Sequence, residues 1–217
     1  MEKVKFLSVS DIHSDEKLIK KIEKKVNLDD IDFVIIAGDI SDKNDDFSKL
    51  LSPFKDKKIF MAPGNHDSTQ QINSLVKNYN IELIGNQPIK INDKLWMFGT
   101  NYITLGEKKV NDDELFKILS KEYLKIPENT TKIMVCHEPP QNSKIGDASP
   151  FVPGSKGVAR FLEVFEPDKF ICGHIHESSG LEEIINKTST FNSAQTYGIF
   201  EFDSEKNEIK KLNLLSD

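Results

Sequence analysis

The sequence predicts an α/β fold built on two sheets. Short apolar runs recur along the chain, each closed by a polar or glycine-containing turn; helical patterns separate the first of them; and from about residue 81 the segments shorten and take on hairpin chemistry. Runs 4–9, 33–37 and 58–62 read as buried strands. Leu18, Ile19, Ile22 and Val26 trace a helix face before the second strand, and Ile72, Leu75, Val76 and Tyr79 trace another after the third. Such alternation implies parallel pairing, because a parallel crossover needs a long connection, usually a helix. Ile89-Lys90-Ile91 and Leu95-Trp96-Met97-Phe98, joined through Asn92-Asp93-Lys94, read as a hairpin and predict a second sheet that is at least partly antiparallel. Runs 95–99, 132–136 and 169–172 read as further strands, and 197–202 with 208–212 as a terminal hairpin. Helices are expected over 112–124, ahead of Pro127, and over 155–165, stopped by Pro167. The stretch 138–154, with four prolines, is longer than a compact domain needs and is expected to act as a functional lid.

A chain of 217 residues suffices for one domain spanning 1–217, and 37% hydrophobic beside 29% charged residues describes a globular protein rather than a disordered one. The net charge of −6 disfavours a broad electrostatic grip on DNA or RNA. The first apolar run is cut off by Asp11, too early for a signal-peptide core or a membrane span, so a cytoplasmic protein without a membrane partner is expected. In that compartment Cys136 and Cys172 are expected as reduced thiols.

Five short motifs close the expected strands: Asp11-Ile12-His13, Gly38-Asp39, Gly64-Asn65-His66-Asp67, Cys136-His137 and Gly173-His174-Ile175-His176. The carboxyl ends of parallel strands gather at one edge, so segments distant in sequence converge there. Imidazole, carboxylate and amide donors together suit manganese, iron, zinc or nickel, and every histidine of the chain falls in these motifs.

The five blocks, in this order, resemble the calcineurin-like metallophosphoesterases, and His137-Glu138-Pro139-Pro140 followed by Gly154-Ser155 resembles a small, uncapped, cytosolic branch from bacteria and archaea. The resemblance implies an αββα four-layer sandwich of two mixed sheets flanked by helices. It implies two divalent metal ions, manganese first, with iron, zinc or nickel as the other candidates. Asp11, His13 and His176 would hold one ion, Asn65, His137 and His174 the other, and Asp39 would bridge them. A hydroxide between the ions would attack a small phosphomonoester or phosphodiester, a cyclic nucleotide included. His66 would protonate the departing oxygen, with Asp42 orienting its ring and Asp67 as the rival for that task.

Other residues read more simply. Asp147 suits an Asx turn, Glu177 a solvated loop, Asn192 a structural role and Arg160, the sole arginine, a helix surface. A nuclease is the enzymatic alternative, disfavoured by the acidic charge and by the lack of chain for a nucleic-acid-binding cap. A scaffold that binds metal without catalysis is the non-enzymatic one, and the presence of His66 speaks against it.

Overall fold

In a computed structural model, residues 3–41, 47–106 and 109–212 are described, with the side chain of Lys25 set aside. The first half of the chain builds a parallel core. β1 (Lys3–Val9), β2 (Phe33–Ile36), β3 (Lys58–Met61) and β4 (Ile81–Leu83) pair in parallel, linked through α1 (Glu16–Lys25), α2 (Phe47–Leu51) and α3 (Thr69–Asn78). The cap of α3 is reciprocal: Ser68 accepts from the Gln71 N–H, and the Gln71 side chain accepts from the Ser68 N–H.

The second sheet is more parallel than its hairpin chemistry suggests. β5 (Ile89–Lys90) pairs antiparallel with β6 (Leu95–Gly99), as expected. β6, β7 (Thr131–Val135), β8 (Lys169–Cys172) and β10 (Thr188–Asn192) then run parallel, and β9 (Glu182–Ile185) closes the far edge antiparallel to β10. The helices α4 (Asp112–Tyr123) and α5 (Lys156–Phe165) supply the crossovers that this parallel core requires. The terminal hairpin, β11 (Tyr197–Asp203) with β12 (Glu208–Leu212), returns to the first sheet, where β11 lies antiparallel to β1. Each sheet is therefore mixed and six-stranded.

Alternation along the strands sorts the apolar residues into three layers. Leu7, Val34, Ile36 and Met61 face α1 to α3 together with Ile19, Ile22, Ile72 and Leu75. Phe6, Phe33, Ile35 and Phe60 face the other way and meet Met97, Ile133, Val135 and Phe191 between the sheets. Phe98, Met134 and Phe170 pack outward against Leu115, Leu119, Phe161 and Leu162 of α4 and α5. The period of two on each strand makes this separation automatic, and the result is the expected αββα sandwich. Cys136 and Cys172 are free and buried in the outermost layer. No helix among the described residues is long and apolar enough to cross a membrane.

Candidate metal centre

The five motifs all follow the carboxyl ends of parallel strands: Asp11 after β1, Asp39 after β2, Asn65 and His66 after β3, His137 after β7, and His174 and His176 after β8. Direct bonds join the two sheet edges. The His174 N–H donates to Asp11 Oδ2 at 2.9 Å, and His137 Nδ1 lies 2.7 Å from the carbonyl oxygen of Ala37. The motif loops leave their strands by sharp turns, with Asp11, His13, Asp39 and His174 at φ 51, 43, 53 and 72°. Aspartate and histidine enter this left-handed region more readily than most residues, yet each such residue stores about 1–3 kcal/mol that its surroundings must hold. Neighbouring loops do the holding, through Asp11 N–H to Gly38 O at 3.0 Å and His13 N–H to Asp39 O at 3.3 Å. Gly64 and Gly173 are there for close approach, since a Cβ would fall on Asp39 Oδ1 at the first and on Ser10 Oγ and Asp11 Oδ2 at the second.

Two clusters of donor atoms result. Asp11 Oδ1 lies 3.1 Å from His176 Nε2 and 3.8 Å from His13 Nε2. In the other cluster His137 Nε2 lies 3.0 Å from Asn65 Oδ1 and 3.2 Å from His174 Nδ1. One oxygen connects them: Asp39 Oδ2 is 3.9 Å from His13 Nε2 and 3.3 Å from His137 Nε2. Asp11, His13 and His176 form one grouping compact enough to hold a cation, and Asp11, Asp39 and His137 form another.

The donor chemistry fits metal. A carbonyl oxygen only accepts, so His137 Nδ1 carries a proton toward Ala37, and in the neutral ring Nε2 turns its lone pair toward Asp39, Asn65 and His174. Several electron-rich atoms facing one point call for a positive charge there. Without metal the chain supplies it by protonation: burial alone would lower the His137 pKa, but the Asp39 and Asp11 carboxylates outweigh it and push it up to about 10. Burial and the His137 charge pull His174 down to about 4, so one proton serves the pair. Burial would raise both carboxylates, but the surrounding histidines outweigh it, holding Asp11 well below the usual carboxylate range and lowering Asp39. His174 Nε2 is buried without a hydrogen-bond partner among the described residues.

His66 stands at the exposed mouth, its ring edge-on to His13 at 5.0 Å between centroids, while its N–H donates to Asp39 Oδ1 at 2.9 Å. Asp67 is engaged elsewhere: its carboxylate accepts from the N–H groups of Asp39 and Gly64, both at 2.8 Å, and of Ile40 at 3.1 Å. It ties the β2 loop to the β3 loop. Asp42 lies outside the described residues. Asp67→Ala should therefore destabilise the metal-free protein by about 2–3 kcal/mol, since three backbone donors lose their acceptor. Denaturant unfolding that returned a loss under about 0.5 kcal/mol, the range of ordinary surface changes, would contradict this anchoring role.

Asp11, His13, Asp39, Asn65, His66, His174 and His176 line one open cavity of about 510 Å³, with His137 fully buried beneath them. The Asp147 carboxylate reaches back to accept from the Asn142 N–H five residues earlier, which is not the bond of an Asx turn, and Asn192 is buried with its amide on Ile175 O and Ser178 Oγ. Arg160 pairs with Asp113 over the Phe116 ring at the surface of α5. Sequence reasoning passed over Ser10, whose hydroxyl lies 2.5 Å from Asp11 Oδ2. Glu138, read only as part of a motif and given no role, has a buried carboxylate that accepts from the Thr104 N–H at 2.8 Å and hydroxyl at 2.5 Å. A place directly before the motif residue Asp11 was the available signal for Ser10.

The family model for calcineurin-like phosphoesterases matches residues 4–178, and every motif residue described above lies inside that match. The chain belongs to the calcineurin-like phosphoesterases. Strands β9 to β12, beyond the matched region, complete both sheets of this phosphoesterase. It is 26% identical over 217 residues to the uncharacterized protein MJ1162 of Methanocaldococcus jannaschii, covering 95% of this chain and 94% of that protein. To the metallophosphoesterase-like protein YydB of Bacillus subtilis it is 27% identical over 136 residues, but this covers 51% of the chain and only 27% of the longer relative. Among solved structures, TT1561 of Thermus thermophilus superposes with a TM-score of 0.69 at 14% identity, covering 98% of this chain and 100% of that one, which is a likeness of fold.

Proposed function

We propose that this phosphoesterase hydrolyses a small phosphomonoester or phosphodiester with the help of two divalent metal ions. The observation that carries the reading is the position of Asp39 Oδ2 between His13 Nε2 and His137 Nε2, where one carboxylate oxygen serves both donor clusters. Asp11, His13 and His176 would hold one ion, Asn65, His137 and His174 the other, and Asp39 both. When bound, such ions supply Lewis acidity, making hydroxide available near neutral pH and offsetting charge on the phosphoryl oxygens. The donor set suits manganese, iron, zinc or nickel.

The protein's own groups do the rest. His137 is held by Ala37 in the tautomer that frees Nε2 for a cation, and Asp67 fixes the two loops that carry Asp39 and Asn65. His66, exposed at the mouth, gives its proton to the departing oxygen. With the Asp67 carboxylate taken up by backbone, Asp42 is the carboxylate proposed to orient the His66 ring. The acidic net charge weighs against the nuclease alternative, and an intact His66 against the scaffold.

The purified protein is expected to cleave bis-p-nitrophenyl phosphate or p-nitrophenyl phosphate once loaded with Mn²⁺, Ni²⁺ or Zn²⁺, and to lose that activity to chelator. Loading should also raise the unfolding temperature by several degrees, because ligands that bind only the folded state stabilise it. No cleavage of either ester by protein shown to contain metal would end the phosphoesterase reading.

A further inference from the structure

The loop between β7 and α5 combines a rigid base with an exposed apolar tip. At the base, Ser143 Oγ accepts from the Gly146 N–H at 2.8 Å, the Gly154 N–H donates to Gly146 O at 2.9 Å, and the Ser155 N–H donates to Pro139 O at 2.8 Å. Ile145 is fully buried in the outermost apolar layer, and Ser178 Oγ donates to its carbonyl at 2.9 Å. The tip is tied down beside the metal centre, because Ser149 Oγ donates to the Glu177 carboxylate at 2.9 Å, next in sequence to His176.

On this tip Phe151 is 86% exposed, more than any other large apolar side chain among the described residues. It lines the same cavity as Asp39, His66 and His174. Lone exposed apolar residues are common on protein surfaces, but a ring that walls a cleft lined by convergent polar groups has the composition of a ligand site. The rest of the lining narrows the ligand. No lysine or arginine faces the cavity among the described residues, while Val152 and Ile175 add apolar surface and Glu177 a negative charge. Beyond the phosphoryl group at the metal centre, the cleft thus favours a neutral, flat, apolar group over a second anion.

We infer that Phe151 is a stacking platform for a planar ring of the substrate, so that this site selects esters carrying one uncharged aromatic or heteroaromatic group. The inference rests on the phosphoesterase reading and specifies the organic part of its substrate. Aromatic stacking of this kind favours the ring-bearing ligand by about tenfold, within the range seen for bases on aromatic side chains.

The test compares two non-hydrolysable ligands that differ by the ring, phenylphosphonate and methylphosphonate, titrated calorimetrically into the Mn²⁺-loaded protein. Wild type should bind phenylphosphonate about tenfold more tightly. Phe151→Ala should bring the two affinities within about twofold while leaving methylphosphonate affinity unchanged, and Phe151→Trp should keep the preference. An undiminished ring preference in Phe151→Ala would overturn the platform, as would an equal loss for both ligands or equal wild-type affinities. In each of those cases methylphosphonate binding to wild type leaves the phosphoesterase reading standing. If neither phosphonate binds metal-loaded wild type, the platform and the phosphoesterase reading fail together.

Discussion

Replacing Asp39 by asparagine should lower the turnover of every phosphate ester by about 10³-fold or more and leave at most one tightly held cation per chain. The substitution keeps shape and removes charge. An amide oxygen still accepts from the His66 N–H, now bonded at 2.9 Å, so the β2 and β3 loops should keep their places. The change falls at Oδ2, which lies 3.9 Å from His13 Nε2 and 3.3 Å from His137 Nε2. Losing a shared anion there removes several kcal/mol of charge complementarity, and each 1.36 kcal/mol is about tenfold in rate. The check is metal content by atomic emission alongside steady-state kinetics. Two retained metals with activity within about tenfold of wild type would remove Asp39 from its joining role.

The second large effect belongs to His66 and depends on the leaving group. His66→Asn should cost about 10²–10⁴-fold in kcat on esters of alcohols, whose oxygen must be protonated as it departs. On p-nitrophenyl esters, which leave as stable anions, the loss should stay under about tenfold. His66 meets the donor clusters through its N–H on Asp39 and the edge of its ring against His13, neither of which is a ligand atom of its own, so metal content should not change. Equal losses on both kinds of ester would assign His66 to binding or structure instead of proton transfer.

The convergence of the five motifs at one edge was legible because it depends on local features. Each motif directly follows an apolar run, and parallel pairing brings such ends together whatever the exact register. Helix bounds were legible for the same reason: Ser155 caps α5 by accepting from the Val158 N–H, and Asn111 caps α4 through Glu114. What escaped is set by tertiary pairing. Glu182–Ile185 and Thr188–Asn192 carry charged and hydroxyl residues that form no clear apolar run, and they become strands through their partners at the sheet edge. The Asn92 turn correctly signalled a hairpin, but β5 has only two residues and β6 spends its other side in parallel pairing with β7. Nor does sequence show that Asp67 spends its carboxylate on three backbone donors, because that depends on two loops from different strands meeting. Phe151 was likewise invisible in a proline-rich loop whose course only the fold determines.

The most direct test of the two-metal reading is anomalous diffraction from crystals of the Mn²⁺-loaded protein. Two manganese peaks per chain are expected, one among Asp11, His13 and His176, the other among Asn65, His137 and His174, with the Asp39 carboxylate touching both. A single peak in fully loaded crystals, or two peaks with Asp39 in contact with neither, would contradict it.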